Sequence, residues 1–236
     1  MQFAQTHPWD VSPAEARAIQ SELAAQVDLC DGISLDDIEI VAGIDNAYVK
    51  NSDGTMACAV VIAMAFPEME VIETTIAWEP IAFPYVPGLL SFREGPAVLA
   101  ACADLSAEPD VILLDGQGFA HPRRFGLASH IGVLLDRPTI GCAKSRLIGQ
   151  FEEPERVFGA HTPLVDHGEV VGAAVRTRPR HKPLFVSPGH KVSIETAVAI
   201  ALACCRDGRF LPEPTRLAHE IVTRERRHAM EAAGKG

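Results

Sequence analysis

Residues 111–115, VILLD, place four apolar side chains in a row and close them with a carboxylate. The run is too short for a helix and lacks the alternation of a strand with one wet face. It is therefore expected to be a strand buried on both faces, which requires a sheet covered by helices on either side. PTIGCAK, residues 138–144, repeats the pattern and ends in a lysine. Between the two, LASHIGVLLD (127–136) reads as a helix, and AVLAACADL after Pro96 reads as another.

The rest of the chain is built around that pair. IEIVAGIDNAYV (38–49) and MACAVVIAMAF (56–66) are apolar runs separated by KNSDGT, and Asp53-Gly54 predicts the turn of a hairpin. MEVIETTIAWE (69–79) alternates as a third strand. EVVGAAVR (169–176) and KPLFVSPG (182–189) suggest a further strand pair, and residues 193–205 and 214–233 two more helices. A helix is expected over residues 13–29, with Ser12 as N-cap and Pro13 at the first position. The expectation is an α/β fold, a mixed sheet flanked by helices, formed by one domain over residues 1–236, with the tail 231–236 frayed.

Composition narrows the setting. The longest apolar run, from Cys58, is too short to span a bilayer, and MQFAQTHPWD has no signal-peptide order. The 6 cysteines include no C-x-x-C, so reduced thiols and a cytoplasmic location are expected. The net charge of −10 is unevenly spread. Residues 1–115 hold 3 Lys/Arg against 19 Asp/Glu, whereas residues 116–192 hold 11 against 6. A basic face for phosphate is compatible with that asymmetry, and so is an unevenly charged solvated surface.

PYVPGLLSFRE, residues 84–94, is apolar yet carries Pro84, Pro87 and Gly88, which argue against a helix or central strand. It reads as a kinked loop finishing in Glu94. Asp45 lies within the first strand and Asp115 ends VILLD; a carboxylate among apolar neighbours is costly unless something pairs with it. A shared hard cation such as Mg²⁺ would serve, as would helix capping or a pair with Arg. Glu94, near Pro96, is equally readable as a helix-start residue. Lys144 can neutralise charge on a phosphoryl oxygen or simply be solvated. His121 and Arg124, in HPRR, can grip phosphate or belong to an ordinary polar loop. His219, in RLAHEIV, is by itself an unremarked helix histidine.

Taken in order and spacing, GIDNAYV, PYVPGLLSFRE, LLDGQGFAHPRRFGLASHIGV and RPTIGCAKSRLIG resemble the endonuclease V family, over about Val41 to His219. The resemblance implies a ribonuclease H-like fold and a metal-dependent nuclease that recognises deoxyinosine or inosine and cuts the second phosphodiester bond on its 3′ side. It implies Asp45 and Asp115 as metal ligands and Glu94 as a third active-site carboxylate. Mg²⁺ would be the cofactor, with Mn²⁺ as substitute. Lys144 would be a catalytic amine and His219 a residue near the metal. Tyr85 would be a wedge, and Gly88, Leu90 and Gly116 would line the lesion pocket through their main chains. Asn46 departs from the family pattern, where an apolar residue is more usual, as does Cys142, where Val is common. A DNA-repair enzyme acting as a monomer on deoxyinosine-containing DNA is the expectation. The alternatives are an inosine-specific endoribonuclease and a non-cleaving inosine-binding module.

Overall fold

The computed structural model describes residues 1–3, 6–51, 54–206 and 208–233. Strand β1 (Ile40–Asn51) and strand β2 (Gly54–Ala65) pair antiparallel along their whole length, from Ile40 opposite Ala65 to Asn51 opposite Gly54. The expected turn residue Asp53 lies outside the described residues. Strand β3 (Val71–Pro80) pairs with β2, completing a three-strand meander.

Helix α1 (Pro13–Leu23) starts as its sequence dictates: Ser12 Oγ accepts from the Glu15 N–H, and the Glu15 carboxylate accepts from the Ser12 N–H. It ends at Leu23, followed by a single 3-10 turn over Ala24–Gln26, and not at residue 29. The chain is drawn away there because the Asp28 N–H donates to His190 Nδ1 and the Asp28 carbonyl accepts from the Lys191 N–H.

Helix α2 (Leu90–Asp104) corrects a second expectation. It begins well before Pro96 and runs through it, so Glu94 sits on a helix and not at the end of a loop. Pro96 forfeits one main-chain hydrogen bond. Burial of Phe92 against Phe83, Leu89 and Trp9 offsets that loss, since packing of an apolar face decides helix stability more than local propensity.

Strands β4 (Val111–Leu114) and β5 (Thr139–Ala143), with helix α3 (Leu127–Leu135) between them, are the buried core anticipated from VILLD and PTIGCA. Strands β6 (His161–Asp166), β7 (Glu169–Val175) and β8 (Leu184–His190) follow, then helices α4 (Ile194–Ala203) and α5 (Glu213–Ala233). β6 is the strand that the sequence pattern missed. It carries Pro163 and pairs with β7 along one side, the other meeting only an isolated bridge from Gln150 to Val165 among the described residues, which places it at the sheet edge where proline is tolerated.

The eight strands form one mixed sheet in the order β3-β2-β1-β4-β5-β8-β7-β6, with β1, β4 and β5 parallel. Side chains of β1 alternate between two cores. Val41 packs with α4 and α5 on one face, and Ala42 and Ile44 pack with α2 and α3 on the other. Gly43 allows α5 to sit directly on the strand, because a Cβ there would lie 2.1 Å from the Pro214 carbonyl carbon. Asp45, two residues on, faces the same helix. Among the described residues no helix is long and apolar enough to cross a membrane.

Candidate active site

β4 pairs with β1 only from Val41 to Ile44, and the Asp115 N–H closes the ladder on the Ile44 carbonyl. The next residue of β1 is Asp45, so the two carboxylates emerge side by side where the strands part. The α5 seat at Gly43 brings His219 above them, with Nδ1 2.6 Å from Asp45 Oδ2. Lys144, the first residue after β5, completes the group. Its Nζ bonds Asp115 Oδ2, stands 4.0 Å from Asp45 Oδ2, and lies 3.3 Å from His219 Nδ1. Four elements thus converge on one point, as Asp45, Asp115, Lys144 and His219.

Burial controls the electrostatics. Asp45 is only 7% exposed, and its carboxyl is held above the usual range by desolvation and then by the Asp115 charge, against the pull of Lys144 and His219. Glu94 is pushed up to about 8 by burial, with Asp45 and Asp115 adding to the effect. It lies on the other face of β1, where Tyr48 donates a short hydrogen bond to Oε1 and Asn46 Nδ2 lies 3.4 Å from Oε2. Arg93 covers the Tyr48 ring at 4.8 Å. Alternation along β1 puts Asn46 and Tyr48 on one face, but that Glu94 meets them there depends on α2 packing on that face, which the sequence did not announce.

Asp45, Asp115 and His219 offer ligand atoms that all lie within 4.8 Å of one another. Two carboxylate oxygens suit Mg²⁺ or Mn²⁺, whereas the imidazole nitrogen is the donor a hard ion such as Mg²⁺ favours least. Gln117 Oε1, two residues after Asp115, and Asn46 Oδ1, on the Glu94 face of β1, are buried and have no donor. Such acceptors match the hydrogen-bonding needs of water around a cation, so the residues fit the group. Glu94 stands beside this triad and not within it.

A cavity of about 410 Å³ opens from the Asp115 and Lys144 side, roofed by Tyr85, Pro87 and Gly88 and floored by Leu90 and Gly116. Tyr85 is 72% exposed, whereas Leu89 is part of the core. The loop is braced from below. Gly88, at φ +77°, turns its carbonyl inward, where His121 Nε2–H donates at 3.0 Å and Arg123 Nη2 at 2.6 Å. Arg123 Nε in turn donates to Gln20 Oε1 at 2.6 Å. His121 lines the cavity, is pushed down to about 4 by burial and then by the Arg123 charge, and accepts from the Arg123 N–H at Nδ1.

Arg124, read from the sequence as a phosphate grip, does not line the cavity. Its guanidinium is held by Asp166 at 2.9 Å and Glu169 at 2.7 Å. Those partners arrive with β6 and β7, and nothing in HPRR announces them. Arg123 and Gln20 are the bracing residues that sequence reasoning passed over. For Gln20 no local signal existed; for Arg123 the choice between adjacent arginines needed the fold.

The sequence profile of the Endonuclease V family matches residues 21–220. An endonuclease V of Nostoc sp. is 49% identical over 223 residues, covering 94% of this chain and 99% of its own. The crystal structure of the Bacillus subtilis endonuclease V superposes with a TM-score of 0.94 at 33% identity, over 98% of this chain and all of that one. The Ciona intestinalis endonuclease V, solved with a 24mer DNA containing an inosine followed by a ribo-adenosine, has a TM-score of 0.76 at 31% identity. It covers 92% of this chain and 98% of its own.

Proposed function

The chain belongs to the endonuclease V family, and from that premise we propose a metal-dependent endonuclease that hydrolyses the second phosphodiester bond 3′ to deoxyinosine in DNA. The observation that carries the reading is the meeting of Asp45, Asp115, His219 and Lys144 at the mouth of a cavity roofed by the Tyr85 loop. We assign the activity to a single catalytic unit, because those residues come from β1, β4, α5 and the end of β5.

Asp45 and Asp115 would hold the cation, with Glu94 and His219 close by. When bound, the cation supplies water activation, polarisation of the phosphate and stabilisation of the departing 3′ oxygen. Lys144 Nζ adds positive charge beside the phosphoryl oxygens. His219 Nδ1, bonded to Asp45 Oδ2, is placed to move a proton to or from the reacting oxygens. Glu94, held neutral near pH 7 in the metal-free protein, is a reserve carboxylate that ionises when positive charge arrives.

Recognition belongs to the loop. A base inside a duplex cannot be read on all its edges, so it must leave the stack. Tyr85, exposed and carried between Pro84 and Pro87, is placed to fill the vacated space. The 410 Å³ cavity accommodates a purine base, and Gly88, Leu90 and Gly116 present main-chain groups to it. His121 and Arg123 consume the Gly88 carbonyl, so the Gly88 N–H is the group left for the base.

The test is a denaturing-gel assay on end-labelled oligonucleotides carrying deoxyinosine, inosine or adenosine, each with Mg²⁺ and with EDTA. A metal-dependent product ending one nucleotide beyond deoxyinosine is expected. Cleavage of the inosine strand alone would move the reading to an endoribonuclease, and binding without cleavage to a lesion-binding module.

A further inference from the structure

A second cavity, of about 210 Å³, adjoins the same triad and shares no lining residue with the first. Asp115 and Lys144 face the larger cavity, while His219 faces the smaller one. The reacting centre therefore lies between them. The floor of the second cavity is β1 from Asn46 to Tyr48, where β4 has ended and that strand edge has no strand partner among the described residues. Its wall is α5.

His219, Thr223 and Arg226 fall at i, i+4 and i+7 on α5 and so share one face. At 1.5 Å rise per residue, Arg226 stands about 10 Å beyond His219 along the helix. On the same helix Arg216 is engaged by Glu213 and Glu220 and Arg224 by Glu225, while Arg227, like Arg226, has no carboxylate partner among the described residues but does not line this cavity. Arg226 has no carboxylate within 4.0 Å among the described residues, and it is exposed. A guanidinium left unpaired beside a cavity next to a phosphodiester-cutting centre is suited to a second phosphate, which it can bind through two parallel N–H groups.

We infer that this second cavity receives the nucleotide on the 3′ side of the scissile bond, with Arg226 holding the next phosphate, the one that follows that nucleotide, and Thr223 contributing its hydroxyl. The inference rests on the proposed function and gives it a direction. If the extruded base occupies the larger cavity and the cut lies 3′ to it, the strand must cross the triad and continue into the smaller one. The ligand is an anionic nucleotide strand.

The test compares steady-state cleavage, in Mg²⁺, of a deoxyinosine oligonucleotide with a long 3′ arm and of one ending a single nucleotide beyond the cut. Wild type should lose affinity on truncation, with KM rising about fivefold and kcat unchanged, as removal of one charge-assisted phosphate contact predicts. R226Q should show the higher KM on both substrates, and R226K should recover part of the loss. The dependence of log affinity on log salt should flatten by about 0.7 in R226Q, one phosphate contact on a single strand. An R226Q enzyme with wild-type KM and salt slope, or as sensitive to truncation as wild type, overturns the subsite and leaves the proposed function standing. Truncation without effect on wild type does the same. A wild type that cuts neither substrate overturns both readings together.

Discussion

His219 Nδ1 lies 2.6 Å from Asp45 Oδ2, although 174 residues separate them in the chain. The contact depends on Gly43, whose missing side chain lets the start of α5 rest on β1. It brings an imidazole onto a carboxylate already crowded by Asp115, so the site combines like charges with a set of donors. That arrangement is costly for the fold and useful only if positive charge is supplied.

The first prediction follows from the conflict. Asp45 is held above the usual carboxylate range by burial and by Asp115. Its ionised form therefore destabilises the metal-free protein, increasingly as pH rises above the ordinary carboxylate range. D45N should abolish nicking, with a loss of about 10³-fold or more, while melting in EDTA at the same or a higher temperature. Melting curves with and without Mg²⁺ check it: wild type should gain stability from the ion and D45N should gain much less. A D45N enzyme with full nicking activity would remove Asp45 from the site.

Tyr85 provides the second. At 72% exposure it contributes little to the core, so Y85A should fold with an unchanged melting temperature. Its effect should appear on duplex substrates, where the vacated stack must be filled, and be small on single strands, where no stack is broken. A drop in kcat/KM of about 10-fold on duplex against about twofold on single strand is expected. Equal losses on both would place Tyr85 in direct contact with the base instead.

Much of this was legible in the chain because it is written locally. VILLD and PTIGCA declare strands buried on both faces, and the hairpin runs declare β1 and β2. Asp45, Asp115 and Lys144 stand out as charges at the ends of apolar runs. What escaped was set by partners distant in sequence. Pro96 masked the true start of α2, since only burial of Phe92 shows why a helix tolerates it. Pro163 hid β6, which exists because β7 offers it an edge. Arg123 and Arg124 are neighbours in sequence with opposite fates, one bonded to the Gly88 carbonyl and the other to Asp166 and Glu169.

Glu94 yields the third prediction. Burial pushes its carboxyl up to about 8, so at pH 7 the metal-free protein carries it mostly protonated. If the bound cation draws on this carboxylate, Mg²⁺ binding at pH 7 must release a proton, and metal affinity must rise with pH until the group is ionised in the free protein, near 8. Titration calorimetry in two buffers of different ionisation enthalpy measures the release directly. The Tyr48 hydroxyl favours the carboxylate form, so Y48F should shift the affinity profile toward higher pH. Zero proton release at pH 7 would separate Glu94 from the cation.

His121 gives the last prediction. Burial pushes it down to about 4, and the neutral ring donates through Nε2 to the Gly88 carbonyl while Nδ1 accepts from the Arg123 N–H. A protonated ring could not accept at Nδ1, and it would stand beside the Arg123 guanidinium. The unfolded chain binds this proton near pH 6.5 and the folded chain only near 4, so folding stability should be full above 6.5 and decline as pH falls through that window. The decline attributable to this group is at most about 3 kcal/mol. H121F removes the titration and should flatten the stability profile between pH 6.5 and 4 in chemical denaturation. It should also free the Gly88 carbonyl from one of its two donors, so KM for the deoxyinosine strand should rise even at pH 8, where the wild-type ring is neutral. A stability profile in H121F as steep as in wild type would mean that the acid sensitivity originates elsewhere, with His130, held well below its ordinary range by burial and then by His7, as the next group to replace.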